Sequence, residues 1–95
     1  MLQVFSIYDK RAETFMPPFY QRNANSAIRV IADTIKADAN TTIARYPEDF
    51  CLYSLAEFDE FSGAFLEISR LKIVELSGLV KDGEPLPQVG GDYIV

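Results

Sequence analysis

Histidine is absent from the 95 residues. With it go the commonest general base, the Ser–His and Cys–His nucleophile pairs and most transition-metal sites. Cysteine occurs once, at Cys51, so no intrachain disulfide can form and no thiolate cluster can hold zinc or an iron–sulfur centre; a reducing compartment is expected. No stretch approaches the ~20 apolar residues that span a bilayer, and the start lacks a cationic segment followed by an apolar run. The chain is therefore expected to be neither exported nor membrane-embedded. Gly90-Gly91 lacks the lysine and the strand-to-helix setting of a phosphate-binding loop. Together these absences predict a protein that is not an enzyme and carries no cofactor.

What is present is enough for one hydrophobic core and too little for two, with 48% apolar and 13% aromatic residues. A chain this short leaves much of its surface uncovered, which keeps self-association open as a further source of stability. The net charge of −5 opposes general attraction to phosphate, but it is unevenly spread. Residues 1–47 hold six cations (Lys10, Arg11, Arg22, Arg29, Lys36, Arg45) against four carboxylates (Asp9, Glu13, Asp33, Asp38), a net of +2; residues 48–95 hold three against ten, a net of −7. A polyanion would be met by the first half.

Leu2 to Asp9 alternates in polarity, Val4 and Tyr8 on one face and Phe5 and Ile7 on the other, which predicts a strand central in its sheet. Lys10 to Asn23 contains Pro17-Pro18 and reads as a loop. Ile28, Ile31, Ala32 and Ile35 then follow helical spacing, predicting an amphipathic helix capped by Asn25 or Ser26 and ending near Asp38. Asn40-Thr41-Thr42 breaks it, and Pro47-Glu48-Asp49 reads as a turn. Phe50 to Phe58 predicts a strand, Glu60 to Gly63 a hairpin connection, and Ala64 onward a return strand to about Lys72, with strand or short helix open beyond it. Residues 82–95, rich in glycine, proline and acid, read as a C-terminal tail appended to a single domain over residues 1–81.

The expected fold class is α+β: a small β-α-β-β domain, one sheet with one helix packed on a face. One helix cannot cover both faces, so the uncovered face is where a dimer partner or a ligand is to be sought.

Two clusters carry possible chemistry. Glu57, Asp59 and Glu60 offer oxygen ligands at a spacing that matches no EF-hand, and read better as a solvated hairpin; no metal site is assigned. Lys10, Arg11 and Arg22 interleave with Phe15, Phe19 and Tyr20 around the two prolines, and Arg29 follows on the helix. Rings that stack on unpaired bases beside cations that meet phosphates are the usual arrangement for single-stranded nucleic acid. The other reading makes Phe15 and Phe19 lid residues over the core and leaves the cations merely exposed. Cys51 reads as a buried structural thiol.

Ile7-Tyr8-Asp9-Lys10, Pro18-Phe19, Ala27-Ile28-Arg29, Asp33, Pro47-Glu48-Asp49-Phe50, and Phe58-Asp59 with Gly63, taken in this order over residues 4–65, resemble the small nonstructural protein of gokushoviruses, microvirus phages with circular single-stranded DNA genomes. The resemblance implies a phage protein made in the cytoplasm of the bacterial host and absent from the virion. By genome position the family is associated with single-stranded DNA synthesis or packaging, and it brings no active site to transfer. Two functional expectations follow. One is a homodimeric accessory factor binding single-stranded DNA through Lys10, Arg11, Phe15, Phe19, Tyr20, Arg22 and Arg29. The other is a protein-interaction module whose acidic half or tail contacts phage replication or capsid proteins.

Overall fold

The computed structural model describes residues 1–80; the proposed tail over residues 82–95 lies outside the described residues. Alternation places β1 (Leu2–Asp9) where predicted, in the middle of a five-stranded antiparallel sheet. On one side β1 pairs with β4 (Phe50–Asp59), which returns through a hairpin into β5 (Ala64–Glu75), the sheet edge. On the other side two short strands, β2 (Thr14–Phe15) and β3 (Phe19–Gln21), lie end to end along it.

Those two strands correct the expectation of a loop over Lys10–Asn23. Pro17-Pro18 interrupts the ladder without abolishing it, because proline has no N–H to donate. Met16 N–H still donates to Ile7 C=O at 2.8 Å, and the buried Ser6 hydroxyl donates to Met16 C=O at 2.6 Å across the break. The second β1–β2 residue pair, Asp9 with Thr14, encloses a four-residue turn of the same length as the one at Asp59–Ala64.

In both turns an aspartate carboxylate accepts backbone N–H groups: Asp9 from Arg11 and Ala12, Asp59 from Phe61. In both, the residue four positions after the aspartate has positive φ, Gly63 at +77° and Glu13 at +57°. Glycine takes this conformation freely, whereas a side chain there costs about 1 kcal/mol or more. Glu13→Gly is therefore expected to raise stability by roughly 0.5–1 kcal/mol and Gly63→Ala to lower it by about 1 kcal/mol. Urea unfolding of the two variants against the parent checks both signs.

Helix α1 (Ala24–Ala37) is capped by Asn23, two or three residues earlier than expected, whose side-chain oxygen accepts from Ser26 N–H at 2.8 Å. Asn25, one of the expected caps, is instead buried inside the first turn. After the break a one-turn helix α2 (Thr42–Arg45), capped by Thr41, and a 3-10 turn (Pro47–Asp49) lead into β4. β5 runs three residues past Lys72 and ends in a second 3-10 turn (Leu76–Leu79).

The helical stripe Ala27, Ile28, Ile31 and Ile35 packs on Phe5 and Ile7 of β1, Phe50 and Leu52 of β4, and Ile43, Leu76 and Leu79. The main hydrophobic cluster therefore lies between α1 and one face of the sheet, while Val4 and Cys51 are buried on the other. The opposite face carries no helix among the described residues.

Candidate nucleic-acid interface

Residues opposite one another in an antiparallel ladder share a face. The register, with a shift at Leu55 that carries Ala56 and Phe58 onto the same side as Tyr53, assigns the uncovered face: Tyr8 stands beside Phe15 and Cys51, Ser6 beside Tyr53, Val4 beside Tyr20 and Ala56, Leu2 beside Phe58, and Phe58 beside Phe65. Six aromatic rings therefore sit on the side turned away from α1. They form two groups. In the first, Tyr8, Phe15 and Tyr53 touch mutually, with ring centroids 4.7, 5.5 and 5.9 Å apart. In the second, Phe58 lies between Tyr20 at 5.9 Å and Phe65 at 4.9 Å. Val4 and Tyr8, which anchor the two groups on β1, are about 13 Å apart at ~3.3 Å per residue.

The first group lines a cleft of about 330 Å³ that Arg70 completes. Lys72, opposite Tyr53 on β5, and Lys10, at the end of β1, both bind Glu75, Lys10 at 2.7 Å. Three cations thus surround this ring group beside one carboxylate that two of them share. The hydrogen bond from Lys10, then that from Lys72, holds the Glu75 carboxyl below its ordinary range, and both ammonium groups are correspondingly raised.

A depressed carboxylate contributes stability above its unfolded pKa and loses it as pH falls through the folded value. Asp59, held low first by the Phe61 N–H, acts in the same direction. The raised lysines lose their contribution only above the ordinary lysine range. Stability is expected to be flat through neutral pH and to fall below the ordinary carboxylate range, and Glu75→Gln should flatten part of that acid limb. Urea midpoints collected from about pH 7 to about pH 3 test it.

The seven residues singled out in the sequence are not gathered into one groove. Phe15 and Tyr20 lie on the uncovered face, 37% and 40% exposed. Phe19 points to the other side, its ring 5.9 Å from Phe5 and packed on the core, because it pairs with Phe5 rather than with Val4. Lys10 and Arg11 stand at one end of β1 and Arg22 near the other. Each has a carboxylate partner: Glu75 for Lys10, Asp49 for Arg11 at 3.4 Å, and Glu60 for Arg22 at 2.9 Å. Arg29 is exposed on α1, on the opposite side of the sheet from the rings.

Tyr8, Tyr53, Phe58, Phe65, Arg70 and Lys72 were missed because they are scattered between residues 8 and 72. Their signal was the alternation itself: Cys51 and Tyr53 are out of phase with Leu52 and Ser54, just as Tyr8 is with Phe5 and Ile7. Cys51 is buried beneath this face, and burial pushes its thiol pKa up. Asp59 and Glu60 are engaged by Phe61 N–H and Arg22. Among the described residues no group of three potential ligands is placed to hold a metal ion, and no helix is long and apolar enough to cross a membrane.

A family model described as Phage ORF5 protein matches residues 2–78, from the first residue of β1 into the final 3-10 turn. Comparison with curated proteins and with solved structures gives no match.

Proposed function

Since the chain belongs to the Phage ORF5 protein family, we propose that it is a non-enzymatic accessory protein of phage genome production, acting in the host cytoplasm by binding single-stranded DNA across the uncovered face of its sheet. The observation that carries this reading is the pair of aromatic groups on that face, one of them beside Arg70, Lys72 and Lys10. Unpaired bases have apolar faces that stack on such rings at about 1–3 kcal/mol per base, while cations nearby meet the phosphates. Small side chains, Ser6 and Ala56, lie between the two ring groups and leave the strand's path open. The likeness to the gokushovirus small nonstructural proteins supports the same ligand, since the genomes of those phages are single-stranded DNA circles.

Titration of a labelled thymidine oligonucleotide followed by fluorescence anisotropy tests the proposal. With three phosphate contacts on a single strand, affinity should fall about 20-fold between ~50 and ~200 mM salt. Absence of binding at the lower salt overturns it. A second reading, a module that contacts phage replication or capsid proteins without touching DNA, is favoured by the ion pairs that occupy Lys10, Arg11 and Arg22. It predicts that same absence together with capture of a phage protein.

A further inference from the structure

β5 ends the sheet, and among the described residues nothing pairs with its outer side. It is 12 residues long, and from Ala64 through Lys72 every residue is exposed. With the hairpin tip it displays Phe61 (90% exposed), Phe65 (60%), Leu66, Ile68 and Leu71 (60%). Long apolar edges are ordinarily blunted, often by lysine. Here the strand's one lysine, Lys72, lies toward its end, beside Glu75 and past the apolar stretch.

We propose that this edge is covered by the same edge of a second copy, running antiparallel about a two-fold axis between Ile68 and Ser69. The strand is self-complementary about that point. The register against β4 shifts between Glu67 and Leu71, which puts Glu67 on the same uncovered face as Arg70. Residues equidistant from the axis then meet, so Glu67 of each copy comes against Arg70 of the other, Leu66 against Leu71 and Phe65 against Lys72. Phe61, at the tip of the hairpin arm, reaches the end of β5 in the other copy. The five apolar side chains expose on the order of 500 Å² per copy. Two copies together thus reach the ~1,000 Å² that a specific interface needs, before the new backbone hydrogen bonds are added. An axis perpendicular to the sheet keeps both uncovered faces on one side, joining the ring groups of the two copies into one surface.

Sedimentation equilibrium of the full chain, without nucleic acid, tests this separately from the DNA reading. The parent should sediment at about twice 10.7 kDa. Glu67→Arg sets like charges together twice across the axis and should weaken dimerisation at least about 10-fold, as expected for closely placed like charges. Adding Arg70→Glu to it exchanges the signs and should restore the dimer. Circular dichroism reports that each variant is folded. A parent that stays at one chain mass at ~100 μM, a range where a specific interface of this size is associated, overturns the proposal. So does a folded double variant that remains as dissociated as Glu67→Arg.

Discussion

Replacing Tyr53 with alanine should weaken single-stranded DNA binding by roughly 5- to 150-fold, the loss of about one stacked base, while leaving the protein folded. Tyr53 is the ring to test because it touches both Tyr8 and Phe15 and lies opposite Lys72. Its removal opens the cleft that Arg70 completes without opening the core on the other side of the sheet. Phe15→Ala should act in the same direction. Phe19→Ala provides the contrast: its ring packs on Phe5 beneath α1, so it should lower stability and leave the affinity of the folded protein unchanged. Anisotropy titrations of the three variants, each with a urea midpoint beside it, separate the two kinds of loss. Equal affinity losses for Phe19→Ala and Tyr53→Ala would contradict an interface on the uncovered face.

The largest stability effect is expected at Phe5. Its side chain is wholly buried at the centre of β1, between the strands on either side and under α1. Truncation to alanine removes a ring's worth of buried surface and leaves a cavity that paired strands cannot close, at a cost of about 3–5 kcal/mol. For a domain of this size, with ~5–14 kcal/mol in total, that is a large share. The urea midpoint should fall by about 2 M or more at an m-value of ~1.5 kcal/mol/M. Since self-association makes apparent stability depend on protein concentration, the two proteins are compared at equal concentration. Ser54→Ala, also buried on β4 but losing only a hydroxyl, should shift the midpoint far less.

The elements that were legible in the sequence are those with a repeated local signal. β1, α1, β4 and the Gly63 hairpin stand close to their expected places, because periodicity of two or of 3.6 and a glycine at positive φ are written in adjacent residues. The turn after β1 was not legible, although it has the same aspartate and the same left-handed residue as the turn at Asp59, because its left-handed position holds Glu13 where the other holds glycine. With that turn unseen, β2 and β3 read as a loop. Phe15, Phe19 and Tyr20 then read as one cluster although they fall on two sides of the sheet.

The candidate site shows the same division. Cations and rings close together between Lys10 and Arg22 drew attention to that segment, yet three of its cations are answered by carboxylates from Asp49, Glu60 and Glu75, 38 to 65 residues away. Conversely, Tyr8 and Tyr53 are 45 residues apart in the chain and in ring contact in the fold.

From the amino-acid order alone came the kind of fold this is: α+β, with one long amphipathic helix laid on a sheet whose second face that helix cannot cover. Those properties follow from composition and from correlations a few residues long. Which rings share a face, which charges are already paired and which strand is left at the edge were decided by the pairing of β1 with β2, β3 and β4, and of β4 with β5. Strand register joins residues distant in the chain, and a shift of a single residue would have turned every side chain to the other face.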